Sequence, residues 1–189
     1  MLPANPTTSP DLEQKAAAAD LSGVDGEGSF HGYASLFGIA DLAGDMVIRG
    51  AFQRSIAARQ ASGIRMLYQH DPAEPIGIWT EIREDGRGLF VRGRLMLDVA
   101  RAREVASLMR AGALDGLSIG FKTVRARADR QAGVRRLTEI DLWEISVVTF
   151  PMQPDARVSA VKADPPQPSS HLAARMRRAA LSLNRRNSK

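Results

Sequence analysis

The chain has 189 residues, of which 44% are hydrophobic and 25% charged, and it contains no cysteine. This length and composition can bury one hydrophobic core, which favours a single domain with flanking segments over two large domains. The lack of cysteine excludes disulfide bonds, thiolate nucleophiles and sulfur-ligated metal sites. No apolar run reaches the roughly 20 residues that a membrane helix needs, and residues 1–10 do not resemble a signal peptide. We therefore expect a soluble, cytoplasmic protein.

The net charge of +5 comes from one terminal segment. Residues 164–189 carry six Lys or Arg and one Asp, whereas the residues before them carry 20 charges of each sign. Pro and Ser predominate at 165–170, which predicts a linker, and a short basic amphipathic helix is predicted after it. Residues 1–28 are rich in Ala, Pro and Gly and have few large apolar side chains, which predicts a mobile leader. The folded domain is therefore expected at residues 29–163.

Within residues 29–163, strand patterns outnumber helix patterns. The predicted strands are residues 29–37, 64–69, 76–83, 89–97, 117–127 and 134–150. The predicted helices are residues 51–61 and 99–111, the second with an apolar stripe of Val105, Leu108 and Met109 and a stop at Gly112. The strongest hairpin signal is at residues 84–88, and residues 38–50 read as a loop. These elements predict an α+β fold, mainly β, with a closed or nearly closed antiparallel sheet and helices packed on it.

His70 is the histidine best placed to act as a general base. The sequence has three histidines, and the other two are His31, near the leader, and His171, in the tail. His70 follows a predicted strand and precedes a turn that contains proline, a position that exposes the side chain while the backbone is held. The same segment also fits a surface histidine that is hydrogen-bonded in a turn.

Ser118 lies between Gly116 and Gly120 in a G-x-S-x-G pattern. In α/β-hydrolases this pattern forms a nucleophile elbow, in which a strand precedes the serine and a helix follows it. Here a strand follows, so the hydrolase elbow is excluded, although the glycines still allow a substrate to approach the hydroxyl closely. The alternative is a serine at the start of a strand beside a β-bulge.

Glu144 is a carboxylate within a largely apolar strand. Strict alternation places Glu144, Leu142 and Ser146 on one face, and Trp143 and Ile145 on the other. Both faces look covered, so Trp143 is expected in the core and Glu144 needs a partner, because an unpaired buried charge is costly.

Several pairings of the Glu144 carboxylate fit the sequence. His70 is one partner, and Arg135 or Arg136 on an exposed edge is another. Asp141, on the opposite face by alternation, is a rival carboxylate for His70. No phosphate-binding loop, dinucleotide motif or histidine-based metal spacing is present, so we expect no cofactor.

Four segments in order resemble the prohead (capsid maturation) proteases of tailed bacteriophages, including the versions found in gene transfer agents. They are residues 32–35, 68–70, 116–121 and 143–151. The similarity covers about residues 29–160, and the ordered combination is specific where each piece alone is weak. That family is related in fold to the herpesvirus assemblin proteases, so the resemblance implies a small antiparallel β-barrel surrounded by helices.

The resemblance also implies a serine endopeptidase with Ser118 as nucleophile and His70 as base. Glu144 stands at the third position of the triad, where the assemblins have a second histidine, and oxyanion donors are expected within residues 152–157. The implied substrate is the scaffold part of the major capsid protein, and the enzyme itself, within the prohead in the host cytoplasm. No membrane or nucleic acid is required, and self-association is left open.

Two other functions are compatible with the sequence. The chain could be a catalytically inactive scaffold or assembly protein of the capsid interior that has the same fold. It could also be a small nucleic-acid-binding protein that acts through its basic tail.

Overall fold

The computed structural model describes residues 24–159 as one eight-stranded sheet with two α-helices. The strands are β1 (Ser29–Leu36), β2 (Asp45–Val47), β3 (Arg65–Tyr68), β4 (Asp71–Glu84), β5 (Gly88–Leu95), β6 (Gly116–Asp129), β7 (Val134–Val148) and β8 (Val158–Ser159). The helices are α1 (Gln53–Arg59) and α2 (Ala100–Arg110), and a short 3-10 helix spans Ala61–Gly63. Among these residues, no helix has the length and apolarity needed to span a bilayer. The prediction of a mainly β fold is confirmed.

Strand β7 pairs with three other strands of the sheet, β2, β3 and β6. The strand order is β2-β7-β3-β4-β5-β1-β8, and β6 also pairs with β7. The neighbours β2 and β3 run parallel to β7, whereas the other pairs are antiparallel. The prediction of a purely antiparallel sheet is therefore wrong at these two pairs. Parallel pairing needs a long connection, which a local sequence pattern does not report. A closed barrel ringed by helices stays a prediction.

The hydrophobic core is one cluster of buried side chains from the strands, from α2 and from the residues just before α1. From α2, Ala102, Val105, Ala106 and Met109 are buried, but Leu108 is 42% exposed, so the predicted apolar stripe is wrong at that residue. Gly112 has a φ of 70°, a left-handed conformation that ends the helix as predicted.

The predicted hairpin at residues 84–88 joins β4 and β5. One carboxylate oxygen of Asp85 accepts hydrogen bonds from the backbone N–H groups of Arg87 and Gly88, at 2.8 and 3.1 Å. The predicted loop at 38–50 contains β2, which the sequence did not indicate. Its three residues are too few to show a pattern, and they gain their strand geometry by pairing with β7.

The end of the predicted leader packs on the body. Val24 is only 1% exposed, and the Asp25 carboxylate accepts a hydrogen bond of 2.7 Å from the Ser29 N–H. The remainder of the leader, and the linker and basic tail at residues 164–189, lie outside the described residues. The division of the chain at residues 28 and 163 stays a prediction.

Candidate active site

Strand β7 brings three segments of the chain together. On one side, β6 pairs with it so that Ser118 is opposite Ser146 and Gly120 is opposite Glu144. On its other side, β3 is paired with residues 144–147. The turn that follows β3 carries His70, so the serine, the histidine and the glutamate all lie at one end of β7.

A β-bulge at Trp143 sets the face on which Glu144 lies. Phe121 is opposite Leu142 and Gly120 is opposite Glu144, so Trp143 is left without a partner in β6. The extra residue puts Leu142 in the core and Trp143 on the surface, 55% exposed. The predictions that Leu142 shares the face of Glu144 and that Trp143 lies in the core are both wrong, because strict alternation assumes an unbroken ladder.

Gly120 shows that Glu144 and Ser118 share a face. A Cβ atom built on Gly120 would lie 2.0 Å from Oε1 of Glu144, so the carboxylate lies directly over this glycine. Ser118 is two residues before Gly120 in regular strand, and such residues point to the same side of a sheet. The Ser118 side chain therefore points to the side that holds the Glu144 carboxylate.

His70, Glu144 and Ser146 form a closed ring of hydrogen bonds. Nδ1 of His70 lies 2.6 Å from Oε1 of Glu144. The hydroxyl of Ser146 donates to Oε2 of Glu144 at 2.6 Å and accepts from the backbone N–H of His70 at 3.1 Å. Ser146 is fully buried, so it is closed to a substrate but fixes both partners. The sequence did not single out Ser146 as a functional residue, although Ser146 stands two residues after Glu144 in the same strand.

The backbone around His70 is held in an uncommon conformation. Gln69 and His70 have φ values of 54° and 62°, in the left-handed region that costs a non-glycine residue about 1 kcal/mol or more. The Gln69 N–H donates to the Val147 carbonyl at 3.1 Å, and its side-chain amide donates to Oγ1 of Thr149 at 2.7 Å. Contacts of Gln69 with Val147 in β7 and with Thr149 just after it thus stabilise the turn that carries His70.

Glu144 also changes the acidity of His70. The hydrogen bond to the carboxylate raises the pKa of His70 above the ordinary value of 6.5, and partial burial of the ring opposes this rise. The carboxylate favours the imidazolium form, which is the form that a general base reaches after it has taken a proton. Since Glu144 occupies Nδ1, the other ring nitrogen, Nε2, is left for proton transfer.

Ser118 is 4% exposed and lies on the same sheet face as this ring of hydrogen bonds. Within residues 24–159, His70 is hydrogen-bonded through Nδ1 and its backbone N–H, and no hydrogen bond joins its ring to Ser118. The structure therefore pairs His70 with Glu144 and places Ser118 on their face without a direct bond. Catalytic hydrogen bonds are often longer in the absence of substrate.

The alternative partners of Glu144 and His70 are engaged elsewhere. Asp141 accepts two hydrogen bonds of 3.0 Å from a terminal nitrogen of Arg59 and one of 2.7 Å from the Trp143 ring. Arg135 pairs with Asp45, and Arg136 pairs with Asp129 at 2.8 Å. Asp141 is thus paired with residues other than His70, and the two arginines are paired with residues other than Glu144.

The segment expected to hold the oxyanion donors lies beside the start of β6. The Leu117 N–H donates to the Ala156 carbonyl at 2.9 Å, and Arg157 forms an isolated bridge with Gly116. Gln153 is buried and anchors this segment to β1, because its amide oxygen accepts from the Leu36 N–H at 2.6 Å. Residues 152–157 are therefore held beside Gly116 and Leu117, the two residues before Ser118.

Two cavities adjoin the site. One has a volume of about 190 Å³ and is lined by Ser118, Leu117 and Met152 among others. The second, of about 390 Å³, lies beside Glu144 and is lined by Leu67, Pro75 and Trp143 among others. In the described part of the chain, no three His, Asp or Glu side chains are grouped as metal ligands.

Comparison with known families identifies the chain. Residues 11–167 match the family model described as the caudovirus prohead serine protease. The chain belongs to this family. A curated relative, the prohead protease of Enterobacteria phage HK97, is 35% identical over 139 residues, which cover 72% of this chain and 61% of the relative. The match thus spans about three fifths of the length of the HK97 protein.

Solved structures with a similar fold include the capsid assembly protease of bacteriophage T4. It superposes with a TM-score of 0.52 at 14% identity, over 65% of this chain and 82% of the T4 chain. The likeness to a Kaposi's sarcoma herpesvirus (KSHV) protease is weaker, with a TM-score of 0.47 at 11% identity over 82% and 76% of the two chains. The T4 match supports a shared fold.

Proposed function

We propose that the protein is a serine endopeptidase of prohead maturation, with Ser118 as nucleophile, His70 as general base and Glu144 as the group that orients His70. The observation that carries the proposal is the hydrogen-bonded His70–Glu144 pair on the sheet face of Ser118. A carboxylate that orients a histidine, which in turn activates a serine, supports acyl transfer on unrelated folds. These roles depend on geometry and not on the order of the residues in the chain. Membership of the prohead protease family gives independent support.

In the proposed reaction, Ser118 Oγ attacks the scissile carbonyl while Nε2 of His70 takes its proton. His70 then gives that proton to the leaving amine, and water repeats the sequence to release the acyl group from Ser118. Glu144 holds the proton on Nδ1 and stabilises the imidazolium. Donors in residues 152–157 would stabilise the oxyanion, each by roughly 3 kcal/mol.

Ser146 acts in this scheme as a positioning residue. Its hydroxyl bonds to the Glu144 carboxylate and to the His70 backbone, so it sets the distance between base and orienting group. A network in which every buried polar atom is paired is rigid, and small displacements of catalytic groups cost large factors in rate.

The proposed substrate is the scaffold part of the major capsid protein, and the protease itself. A shell that must lose its internal scaffold needs a protease enclosed with it, which places the enzyme in the prohead within the host cell. The basic segment at residues 164–189 would deliver it there. The two cavities beside Ser118 and Glu144 could accept apolar side chains of the substrate on either side of the scissile bond.

The nucleophile is tested by Ser118→Ala. We expect this variant to fold normally and to leave the capsid protein uncut, a loss of at least about 10⁴-fold in rate. Intact-mass spectrometry of the capsid protein and of the protease, incubated together, reads both cleavages, and circular dichroism checks the fold. Ser62→Ala, at an exposed serine outside the site, is the matched control.

Each outcome of this test has a meaning. Full cleavage by Ser118→Ala would remove the nucleophile assignment. If the unchanged, folded chain leaves capsid protein uncut, the catalytically inactive scaffold function is favoured. Cleavage of the capsid protein without any loss of mass from the protease would exclude self-processing while keeping the endopeptidase.

A further inference from the structure

The outer half of the β6–β7 hairpin carries a concentration of positive charge. We call residues 122–136 the basic ribbon. It holds six Lys or Arg and one Asp, whereas the remainder of residues 24–159 holds 12 basic and 16 acidic side chains. The basic ribbon is therefore strongly positive on a body that is otherwise negative. Such separation of charge steers a partner of opposite sign to one place.

Not all of the positive charges of the basic ribbon are paired with acidic side chains of the described residues. Arg127 lies directly opposite Arg136 in the β6–β7 ladder, and like charges in opposed positions destabilise a strand pair. Asp129 pairs with Arg136. Arg127 and Arg130 are exposed and form no ion pair with any residue between 24 and 159. Arg127 and Arg130 are thus left available to an outside ligand.

The basic ribbon also has an open backbone edge. Over residues 122–129, β6 pairs only with β7 among the strands that the structure describes. Its other edge presents N–H and C=O groups, with register shifts at residues 123–126, that an extended peptide can pair with in the manner of an added strand. A nucleic acid would use the arginines but not this row of backbone groups. The open edge therefore favours a peptide.

We propose that the basic ribbon binds an acidic, extended peptide segment of the protein substrate as an additional strand on the edge of β6. This proposal rests on the endopeptidase function proposed above. A strand rises about 3.4 Å per residue, so Arg127 lies roughly 30 Å along β6 from Ser118. An extended substrate of similar rise would place its acidic segment roughly nine residues from the scissile bond.

Binding is tested directly, without cleavage. The full-length Ser118→Ala chain is titrated against a fluorescein-labelled 12-residue peptide of alternating Glu and Thr, with fluorescence anisotropy as the readout. The double variant Arg127→Glu/Arg130→Glu should weaken binding by roughly tenfold or more. The matched control is Arg49→Glu/Arg94→Glu, at exposed arginines outside the basic ribbon, which changes the net charge equally and should leave the affinity within about twofold.

Hydrogen exchange of the same mixtures locates the peptide. We expect slower exchange of backbone amides within residues 122–129 in the presence of the peptide, and no slowing in the ribbon double variant. A peptide in which Gln replaces Glu should neither bind in the anisotropy titration nor slow the exchange of these amides. Equal affinity of the two double variants, or slowing confined to residues outside the basic ribbon, would overturn the proposal.

A single-stranded 12-nucleotide DNA distinguishes the rival ligand. If the DNA binds, if Arg127→Glu/Arg130→Glu abolishes that binding, and if the acidic peptide does not bind, the basic ribbon is a nucleic-acid site and the peptide proposal is wrong. The endopeptidase function is judged separately by cleavage of capsid protein. A protein that cuts but does not bind the peptide refutes only the ribbon proposal, and one that binds but does not cut refutes only the catalytic one.

Discussion

The two ends of the β6–β7 pair belong to one backbone ladder, but they differ in the burial, the charge and the hydrogen bonding of their side chains. At the inner end, Ser118 and Ser146 are buried, and the Glu144 carboxylate is hydrogen-bonded to both Nδ1 of His70 and the Ser146 hydroxyl. At the outer end, the basic ribbon is exposed and positively charged. The same two strands therefore support a hydrogen-bonded, partly buried site at one end and an open, charged surface at the other.

The bulge at Trp143 lies between these two ends. It changes which side chains face the core, because Leu142 is buried before it and Glu144 is directed over Gly120 after it. A bulge twists the strand pair and redirects a side chain at low cost to the ladder. The comparison teaches that local register, and not the identity of the strands, determines which face of the sheet carries the candidate site.

The largest expected effect at the inner end is that of His70→Ala. It removes the proposed base and should lower the cleavage rate roughly 10⁴-fold, as Ser118→Ala does. The double variant Ser118→Ala/His70→Ala should be scarcely worse than either, because members of one catalytic unit are not additive. Cleavage of an accessible peptide substrate measures all three. Arg127→Ala at the outer end is the control and should keep the unchanged rate on that short substrate.

A second prediction concerns Glu144→Gln. It should reduce the rate less than His70→Ala does, by roughly 10²- to 10³-fold, because the neutral amide can still contact the ring. Since the carboxylate raises the pKa of His70, its removal lowers that pKa. The acid limb of the pH profile of kcat/KM should then move to lower pH, with a lower plateau.

Asp141→Asn is the matched control for Glu144→Gln. Asp141 is bound to Arg59 and Trp143, so its neutralisation should leave the acid limb in place. If Asp141→Asn were inactive and Glu144→Gln kept nearly normal activity, the role of orienting His70 would belong to Asp141 and not to Glu144.

Gly120→Ala is expected to lower activity by displacing the Glu144 carboxylate. The added methyl would lie 2.0 Å from Oε1 of Glu144, so the carboxylate must turn away from His70. The turn also takes Oε2 away from the buried Ser146 hydroxyl, so the free energy of unfolding should fall by about 1–3 kcal/mol, while the rate falls roughly 10- to 100-fold. Gly86→Ala, where the methyl meets nothing within 4 Å, is the control. An unchanged rate in Gly120→Ala would show that the Glu144–His70 contact is dispensable.

Local features of the fold could be predicted from the sequence. The 84–88 hairpin, both helices and the end of α2 at Gly112 depend on turn residues and periodicity that lie close together in the chain. The parallel pairing of β2 and β3 with β7 could not be predicted, because it joins segments up to about 90 residues apart. The bulge at Trp143 was missed because one extra residue leaves no mark in an alternating pattern.

The candidate site was predictable to a similar degree. His70 could be selected because histidines are few, and Ser118 because glycines flank it, but the family resemblance supplied their roles. Ser146 was missed because a serine in a strand has no motif of its own. The charge of the basic ribbon was hidden by averaging over the chain, since its positive charges are balanced elsewhere by acidic side chains.

The smallest expected effect at the inner end is that of Ser146→Ala. Loss of the hydroxyl leaves the His70 backbone N–H and one Glu144 oxygen without their partner, which should cost about 1–3 kcal/mol of stability. If Ser146 also positions the base, kcat should fall roughly tenfold with KM little changed. Ser55 is the matched control, because its buried hydroxyl accepts from the Leu142 N–H at 2.7 Å away from the ring of hydrogen bonds. Ser55→Ala should lose similar stability and keep its kcat. An equal fall of kcat in both variants, measured well below their melting temperatures, would reduce Ser146 to a structural residue, and the rigidity of the inner end would then have no catalytic consequence.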